Sequence, residues 1–571
     1  MGAAQVPRKP GGAAWLFFLA WFAPGACLAA EAGLVLLGGR IWTASEPRPW
    51  VQALAIQGSR IVAAGSDDEI DAWIRPGTRI FDLHGRLVVP GFNDAHIHFL
   101  GGALGLREAD LVGACSVEAM QRRVVEYART RLGEAWITGS GWEYACFPKD
   151  RIARKEDLDA VVKDRPVYLR AYDGHSAWVN SRALRVAGIT GDTVFQAFGE
   201  VVKDPRTGEP TGWLKEGAEM LVRRLAPRPT RSQQLAALEE GMRRAAALGM
   251  TSIQVAGSDL NELSLYEDLV KQDKLTLRVA VAFSSGKAAQ TDIDSWAGLK
   301  QKYNGPLLRA GAVKFMIDGV IESHTAAMIE PYADKAASRG SSSWEYVDYR
   351  DAVVRADRAG LQVYTHAIGD RAVRMALDAY EHALALNGAH DARFRIEHIE
   401  TIHPGDVARF ARLGVIASMQ PIHADPGTMG VWSAAVGSAR LPFAFAWRGL
   451  EKAGARLVYS SDWPACISLN PFRGLHVAVN RRTVDGRPPG GWIPQQRVSL
   501  ETALRAYTTG GAYASFEEHA KGKLVPGMLA DLIVLSQDLF RIDAMKIHET
   551  KVLLTVFDGR VVHQDLPSRA P

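Results

Sequence analysis

Eight apolar β-runs separated by helical stretches, β-rich pieces at both chain ends and one overlong interval between the first two runs predict an α/β protein. The expected architecture is a (β/α)8, TIM-like barrel with a discontinuous β-sandwich domain built from both chain ends and an inserted α/β lid subdomain. Residues 1–30 read as a signal peptide, 31–88 with 516–565 as the sandwich, and 89–515 as the barrel, interrupted by an insertion over about 105–245. A chain of 571 residues, 47% hydrophobic and 23% charged, can bury a large core. Its 67 basic and 63 acidic side chains leave a formal charge of +4, too near balance for a protein that tracks phosphates by bulk charge. The four cysteines (Cys27, Cys115, Cys146 and Cys466) are too few and scattered for a disulfide scaffold or a thiolate zinc module.

The amino terminus reads as an address. Arg8 and Lys9 precede an unbroken apolar run over 13–23, small residues follow through Ala30, and the first acid is Glu31. That order is the pattern of a secretory signal peptide, and the run is well short of the roughly 20 apolar residues that span a bilayer. Export to the periplasm or the extracellular space is expected, with cleavage after Ala29 or Ala30 and no stable membrane insertion afterwards. Whether Cys115 and Cys146 pair in an oxidising compartment is left open by the residues.

Between residues 34 and 89, short β-rich runs break at Gly38-Gly39, Gly58 and Gly85, where hairpins need permissive backbone. The same texture returns over 521–536 and 551–564, with Asp558-Gly559 a hairpin signal. Each piece alone has too little core, so one sandwich is expected from both. The barrel strands are expected at 87–99, 251–255, 277–283, 312–317, 362–366, 394–398, 415–419 and 456–460, near-continuously apolar as in a parallel sheet covered on both faces. Eight such units close a barrel. The interval after the first is too long for one helical crossover. It holds β-runs of its own at 135–141 and 166–173, and is read as a lid over the barrel mouth.

The chemistry sits at the carboxyl ends of the barrel runs. His96 and His98 are two apart, so both imidazoles leave one face of a strand. That is a natural chelate for a borderline cation such as Zn2+, although a lone pair of this kind is as often structural. Lys314 lies in an otherwise apolar run, where a bare ammonium is costly to bury. His366, His398 and Asp462 end three further runs. The strand ends of a barrel ring one bowl, so these groups are expected to meet there. Singly each has a bland reading as a core histidine, a snorkelling lysine or a helix-capping aspartate; polar groups at so many apolar strand ends outweigh it.

Over residues 33–563 the sequence resembles the amidohydrolase superfamily, in the branch called amidohydrolase family 3, whose better-known members include N-substituted formamide deformylases. The resemblance rests on GFNDAHIHF (91–99), VKFMIDG (313–319), THAIGDRA (365–372), RIEHIE (395–400), SMQPIHAD (418–425), SSDWP (460–464) and KGKLVPGMLADLIVL (521–535). It implies hydrolysis of non-peptide carbon–nitrogen bonds, of amide or formamide type, in a small-molecule substrate by a metal-bridging hydroxide. Two divalent ions are implied, with Zn2+ the first expectation. Carried over by position, His96, His98 and Asp462 hold the more buried ion, and His366 and His398 the more exposed one. Lys314 matches the family lysine that takes up CO2 as a carbamate bridging both ions; an unmodified Lys314 beside a single ion is the alternative. Asp462 is also the implied proton shuttle to the departing nitrogen.

His175, in a loop that looks like the family's substrate-facing one, is expected to stabilise an oxyanion or orient substrate, or else to be a solvated loop histidine. Tyr172, Asp173, Gln420 and His423 are expected at the substrate, with Asp425 close by. Asp318 and Glu397 read either as acceptors for ligand imidazoles or as partners in structural salt bridges. Trp142, Tyr144, Trp178 and Trp213 read as an aromatic pocket or as packing. Residues 319–326 depart from the small-residue turn of the branch. Val320, Ile321 and Glu322 there change the pocket floor, so the substrate need not be that of the deformylases. Two other readings are a hydrolase of a lactone, carbamate or cyclic ureide, and a catalytically silent barrel that only binds. No nucleic-acid partner is expected, and homo-oligomerisation is left open.

Overall fold

The computed structural model describes residues 1–2, 32–148, 151–286 and 292–568; the apolar run over 13–23 lies outside the described residues. Eight strands form one parallel sheet in chain order: β1 (Phe92–Ile97), β2 (Met250–Ser258), β3 (Arg278–Ser285), β4 (Leu308–Met316), β5 (Gln362–Ala367), β6 (Arg395–His398), β7 (Ile416–Met419) and β8 (Arg456–Tyr459). Helices cover the outside, and β1, β5, β6 and β7 are buried at every position, as a sheet shielded on both faces requires. Just past β8, the Asp462 N–H donates to the His96 carbonyl at 2.8 Å, and the His98 N–H donates to the Trp463 carbonyl at 2.9 Å. The carboxyl ends of β8 and β1 therefore meet, and the sheet is a nearly closed TIM-like barrel.

The first expected strand divides in two. Leu87–Pro90 pairs with Leu532, Ile533 and Val534 of the carboxyl-terminal piece, and only Phe92–Ile97 enters the barrel. Gly91 is the point of transfer, because a Cβ there would lie 2.3 Å from Thr251 Oγ1. Residues 87–92 are apolar on both sides of Gly91, so periodicity could not mark where one sheet handed over to the other.

Two further sheets, of four and six strands, enclose the second core. Leu34–Leu37 and Ala53–Gln57 belong to one, and Leu532–Leu535 and Val552–Phe557 to the other. Leu34, Leu36, Leu54 and Ile56 pack with Leu532, Val534, Leu554 and Val556, the every-second-residue pattern of a sandwich interior. Gly559 needs no side chain for a clear reason: its Cβ would overlap the Gly58 carbonyl at 1.8 Å, where two hairpins touch.

The insertion forms its own six-stranded sheet, from Ala109–Asp110 to Pro210–Glu216. Along Val167–Ala171, alternate residues face opposite sides: Val167 and Leu169 join one apolar cluster and Tyr168 another. Cys115 and Cys146 are joined by a disulfide within it, which answers the pairing question. The helix Arg231–Ala247, inside the span expected for the insertion, belongs instead to the barrel wall: its Gly241 abuts Ala103 and Phe99, and Leu238 and Met242 join the barrel core. Among the described residues no helix is long and apolar enough to cross a membrane.

Candidate metal centre

β1, β4, β5 and β6 deliver His96, Lys314, His366 and His398 to one end of the barrel, and Asp462 follows β8. His96 is fixed from behind. Its Nδ1 lies 2.6 Å from Glu397 Oε2, and Glu397 in turn takes the Arg395 Nε–H at 2.8 Å, all fully buried. A carboxylate only accepts, so Nδ1 carries the proton and Nε2 keeps a lone pair toward the bowl. That Nε2 lies 3.3 Å from Asp462 Oδ1 and 3.2 Å from Lys314 Nζ. His98 Nε2 lies 3.3 Å from the same Asp462 oxygen. On the other side, Asp462 Oδ2 lies 3.7 Å from His398 Nδ1 and 3.7 Å from His423 Nε2. His398 and Asp462 hold φ angles of 75° and 62°, a left-handed backbone that costs a non-glycine residue about 1 kcal/mol or more and that clusters at functional sites.

The electrostatics keep these groups ready to donate lone pairs. Burial, then the Lys314 charge, lowers His96 to about 4. Burial, then neighbouring imidazoles, holds His398 well below the ordinary histidine range, and burial with the His175 charge does the same to His366. Burial opposes ionisation of Asp462, but His96, His98 and His423 outweigh it and hold its carboxyl below the usual range. Burial lowers Lys314 to about 8. His175 moves the other way: Glu216, whose Oε2 is 2.8 Å from its Nδ1, and then Asp173 outweigh burial and raise it to about 10.

Among the described residues, two groups of side chains could hold a metal ion, His96 with His98 and Asp462, and His398 with His423 and Asp462, the candidate ligand atoms of each lying within 4.8 Å of one another. The residues fit a cation. Asp462 Oδ1 is buried with no hydrogen-bond partner yet lies 3.3 Å from each of two imidazole Nε2 atoms, and a buried carboxylate oxygen set among imidazoles is what a cation would satisfy.

His366 and His423 are both imidazole neighbours of His398. His366 is close, with ring centroids 4.5 Å apart, but its Nε2 sits 3.3 Å from the Gly319 carbonyl, in the turn that departs from the branch. His423, expected at the substrate, is the histidine that groups with His398 and Asp462. Gln420, also expected there, is 1% exposed and committed elsewhere: its carbonyl oxygen is 2.8 Å from His398 Nδ1 and its amide donates to Ser460 Oγ at 2.9 Å. Those contacts fix the orientation of the His398 ring. Asp425 pairs with Arg473 at 2.9 Å. Asp318 accepts the backbone N–H groups of Ala327, Ile368 and Gly369, so it pins the loops around His366.

Above the centre lies a cavity of about 360 Å³, counting its open mouth, lined by Tyr172, Asp173, His175, Glu322, His366 and His423 among others. Trp142 and Trp178 are fully buried packing, whereas Tyr144 lines a smaller space beside the first. Glu216 and Glu400 were not assigned from sequence, and Glu322 was read only as part of a changed pocket floor, where it does line the cavity. Glu216 lies at the end of the lid strand Pro210–Glu216, about forty residues from the histidine it holds, and no spacing rule links the two. Glu400 takes the Trp432 indole N–H at 2.6 Å and faces His423 at 3.6 Å. Glu322 takes the Tyr172 hydroxyl at 2.8 Å; burial, then Glu400 and Asp173, raises it to about 8.

The profile of the amidohydrolase family matches residues 79–563. The chain is 31% identical to Protein LONG AFTER FAR-RED 3 of Arabidopsis thaliana, over 93% of this chain and 92% of that protein. It is 26% identical to the N-substituted formamide deformylase of Arthrobacter pascens, over 92% of this chain and 97% of that one. Among solved structures it is similar to an uncharacterized metal-dependent hydrolase from Pyrococcus furiosus, with a TM-score of 0.68 and 27% identity, covering 88% of this chain and 99% of that one. A nearly closed eight-stranded barrel, a histidine–aspartate cluster at its carboxyl rim and a family match across most of the sequence lead to one assignment: the chain belongs to the amidohydrolase family and is a hydrolase.

Proposed function

We propose that this hydrolase cleaves an amide- or formamide-type carbon–nitrogen bond of a small molecule at a pair of divalent cations, Zn2+ the expected ion, that share Asp462. The observation that carries the reading is the buried Asp462 oxygen, without a hydrogen-bond donor and 3.3 Å from each of two imidazole Nε2 atoms. His96, His98 and Asp462 would hold one ion, and His398, His423 and Asp462 the other. Bound there, such ions supply Lewis-acid chemistry, polarising a carbonyl and acidifying water. Burial lowers Lys314 to about 8, so its neutral form is more accessible near neutral pH than an ordinary lysine's; a neutral amine can add CO2, and the resulting carbamate would put an anion beside the cations in place of a buried ammonium.

The chain's own groups supply the rest. Asp462 is held ionised, so it can accept a proton from the attacking water and return it to the departing nitrogen, which otherwise leaves as a poor amide anion. His175 is protonated near neutral pH and spends its Nδ1–H on Glu216. Its Nε2–H is then available to the substrate oxygen as negative charge grows there. The lid loop carrying Tyr172 and Asp173 covers the reacting groups and limits water. The Arthrobacter relative, named for formamide deformylation, supports this bond class.

The test is elemental analysis together with turnover of an N-formyl and N-acyl amide panel by purified mature protein supplied with Zn2+ and bicarbonate. About two ions per chain and hydrolysis of at least one amide are expected. A metal-free protein that cleaves nothing, or one that cleaves only lactones or cyclic ureides, would sink the reading. We also infer export. The Cys115–Cys146 disulfide suits an oxidising compartment, and retention of the intact amino terminus in the cytosolic fraction would contradict it.

A further inference from the structure

We propose that the chain encloses a small monovalent anion, of chloride size and charge, at the Arg481 guanidinium behind the last barrel strand; this site is separate from the hydrolytic one and stands or falls apart from it. Arg481 follows the helix Pro471–Asn480 with a left-handed φ of 52°, and it is fully buried. Its guanidinium carbon lies 3.8 Å from the centre of the Trp447 ring and 5.7 Å from that of Trp492. One nitrogen, Nη2, donates to the Phe445 carbonyl at 2.5 Å. Nε and Nη1 are buried with no hydrogen-bond partner. The ionisable groups that bear on this charge are Tyr459 and Arg497, neither of them a carboxylate. Burial lowers Arg481 to about 9, so it is still a cation near neutral pH.

A second observation points to a ligand at the same place. Trp447 and Tyr459 are fully buried beside Arg481, and the Trp447 indole N–H and the Tyr459 hydroxyl have no hydrogen-bond partner. The two rings are in edge contact, centroids 5.9 Å apart. After burial itself, the Arg481 charge is the largest influence on the Tyr459 hydroxyl. Three neighbouring residues, from β8 and from two outer helices, thus keep N–H and O–H groups unspent in one buried layer.

Chemistry selects the occupant. Guanidinium and indole nitrogens only donate, so what is missing is an acceptor. The rings attract the guanidinium through their faces, but that return is small against the cost of an unpaired buried charge. A water accepts two of these donors, yet it brings two protons of its own into an aromatic wall and leaves the charge unmatched. One negative ion accepts from each donor it reaches and cancels the charge. A divalent ion would exceed the single positive charge, and the full enclosure of all three side chains leaves no opening for a bulky organic acid. The place also bears on the bowl. Arg481 holds the Phe445 carbonyl, the Phe445 N–H donates to the Glu400 carbonyl at 2.9 Å, and the Glu400 carboxylate faces His423. An ion that fixes Arg481 therefore steadies the wall behind His423.

Two measurements on the full mature, metal-loaded chain test this. The first follows melting temperature as sodium chloride replaces sodium gluconate at constant ionic strength, which holds screening fixed. The melting temperature should rise with chloride and level off, as a site in the folded state requires. Arg481→Met should abolish the rise, and Tyr459→Phe should move its midpoint to chloride concentrations about three- to tenfold higher, the loss of one hydrogen bond. Chloride also ligates metal ions, so a rise that persists in Arg481→Met belongs to the metal centre and overturns the site. A melting temperature indifferent to chloride overturns it too. The second measurement needs no variant and decides the matter if Arg481→Met does not fold. Crystals grown with sodium bromide should show an anomalous peak at the Arg481 guanidinium. A water or nothing at that place overturns the proposal, and a bromide peak without a saturable chloride response in solution marks an adventitious ion only and overturns it as well.

Discussion

The sandwich and the barrel rim follow opposite rules. In the sandwich, alternate residues such as Leu532, Val534, Leu554 and Val556 face one apolar core, and local preference, pairing and burial agree. At the rim, buried positions go to His96, Lys314, Glu397, His398 and Asp462, each costly to bury alone, and two of them sit at positive φ. The contrast teaches where each function of the chain resides. Stability accumulates where the pattern is regular, and chemistry sits where the surrounding fold holds groups in states they would not choose.

The sharpest way to break that contrast is to change one residue on each side. Asp462→Asn removes the proton acceptor while keeping its shape, and should lower kcat by about 10²–10⁴-fold with little loss of melting temperature. Steady-state kinetics with circular dichroism read both, and near-normal turnover would refute the proton-shuttle role. In the sandwich, Leu554→Ala should do the reverse. Leu554 is fully buried, so the substitution should cost about 2–5 kcal/mol of stability through lost burial and a residual cavity, with kcat of the folded fraction little changed. A loss of activity without a loss of stability would show that the two regions are not separable in this way.

That separation also explains how much was legible in the sequence. All eight barrel strands were, because buried parallel strands announce themselves as apolar runs. So were His96, His98, Lys314, His366, His398 and Asp462 as members of one bowl, since each interrupts or ends such a run. The handover at Gly91 was not, because an apolar run carries no mark of which sheet it joins. Nor were the finer pairings. Gln420 follows the seventh strand and reads as substrate-facing, but only three dimensions show its carbonyl turned to His398. The contact of His366 Nε2 with the Gly319 carbonyl is hidden too, because backbone carbonyls have no signature in sequence. Glu216 reaches His175 through the lid's own fold, which no linear spacing encodes.

The lid stands between the two extremes, and its disulfide sharpens the comparison. The bond joins Cys115 to Cys146 across 31 residues, next to Tyr144 and Glu143 on the pocket wall. Replacing both cysteines with serine should destabilise the lid by about 3–4 kcal/mol in the chain-entropy description, and hydrogen exchange should then find lid amides opening before barrel amides. Because the lid supplies Tyr172, Asp173 and His175, KM should rise as well. Uniform protection across lid and barrel in the double variant would mean that the bond does not hold the pocket wall in place.

The smallest expected effect is the most specific to the rim. Glu216 and Asp173 raise His175 from 6.5 in the unfolded chain to about 10 in the fold. A raised histidine pKa means that the folded state holds its proton more tightly, so the pairing stabilises fully below about pH 6.5. Between about 6.5 and 10 the unfolded state has already lost the proton, and each step upward in pH removes part of the advantage. Melting temperature should therefore fall from pH 6.5 toward 10 more steeply in the unsubstituted protein than in His175→Gln, where that titration is absent. The sandwich offers a control, since Leu554→Ala should shift the whole curve without altering its slope. Parallel pH profiles for the unsubstituted protein and His175→Gln would mean that Glu216 does not hold His175 charged, and the proposed donor to the substrate oxygen would go with it.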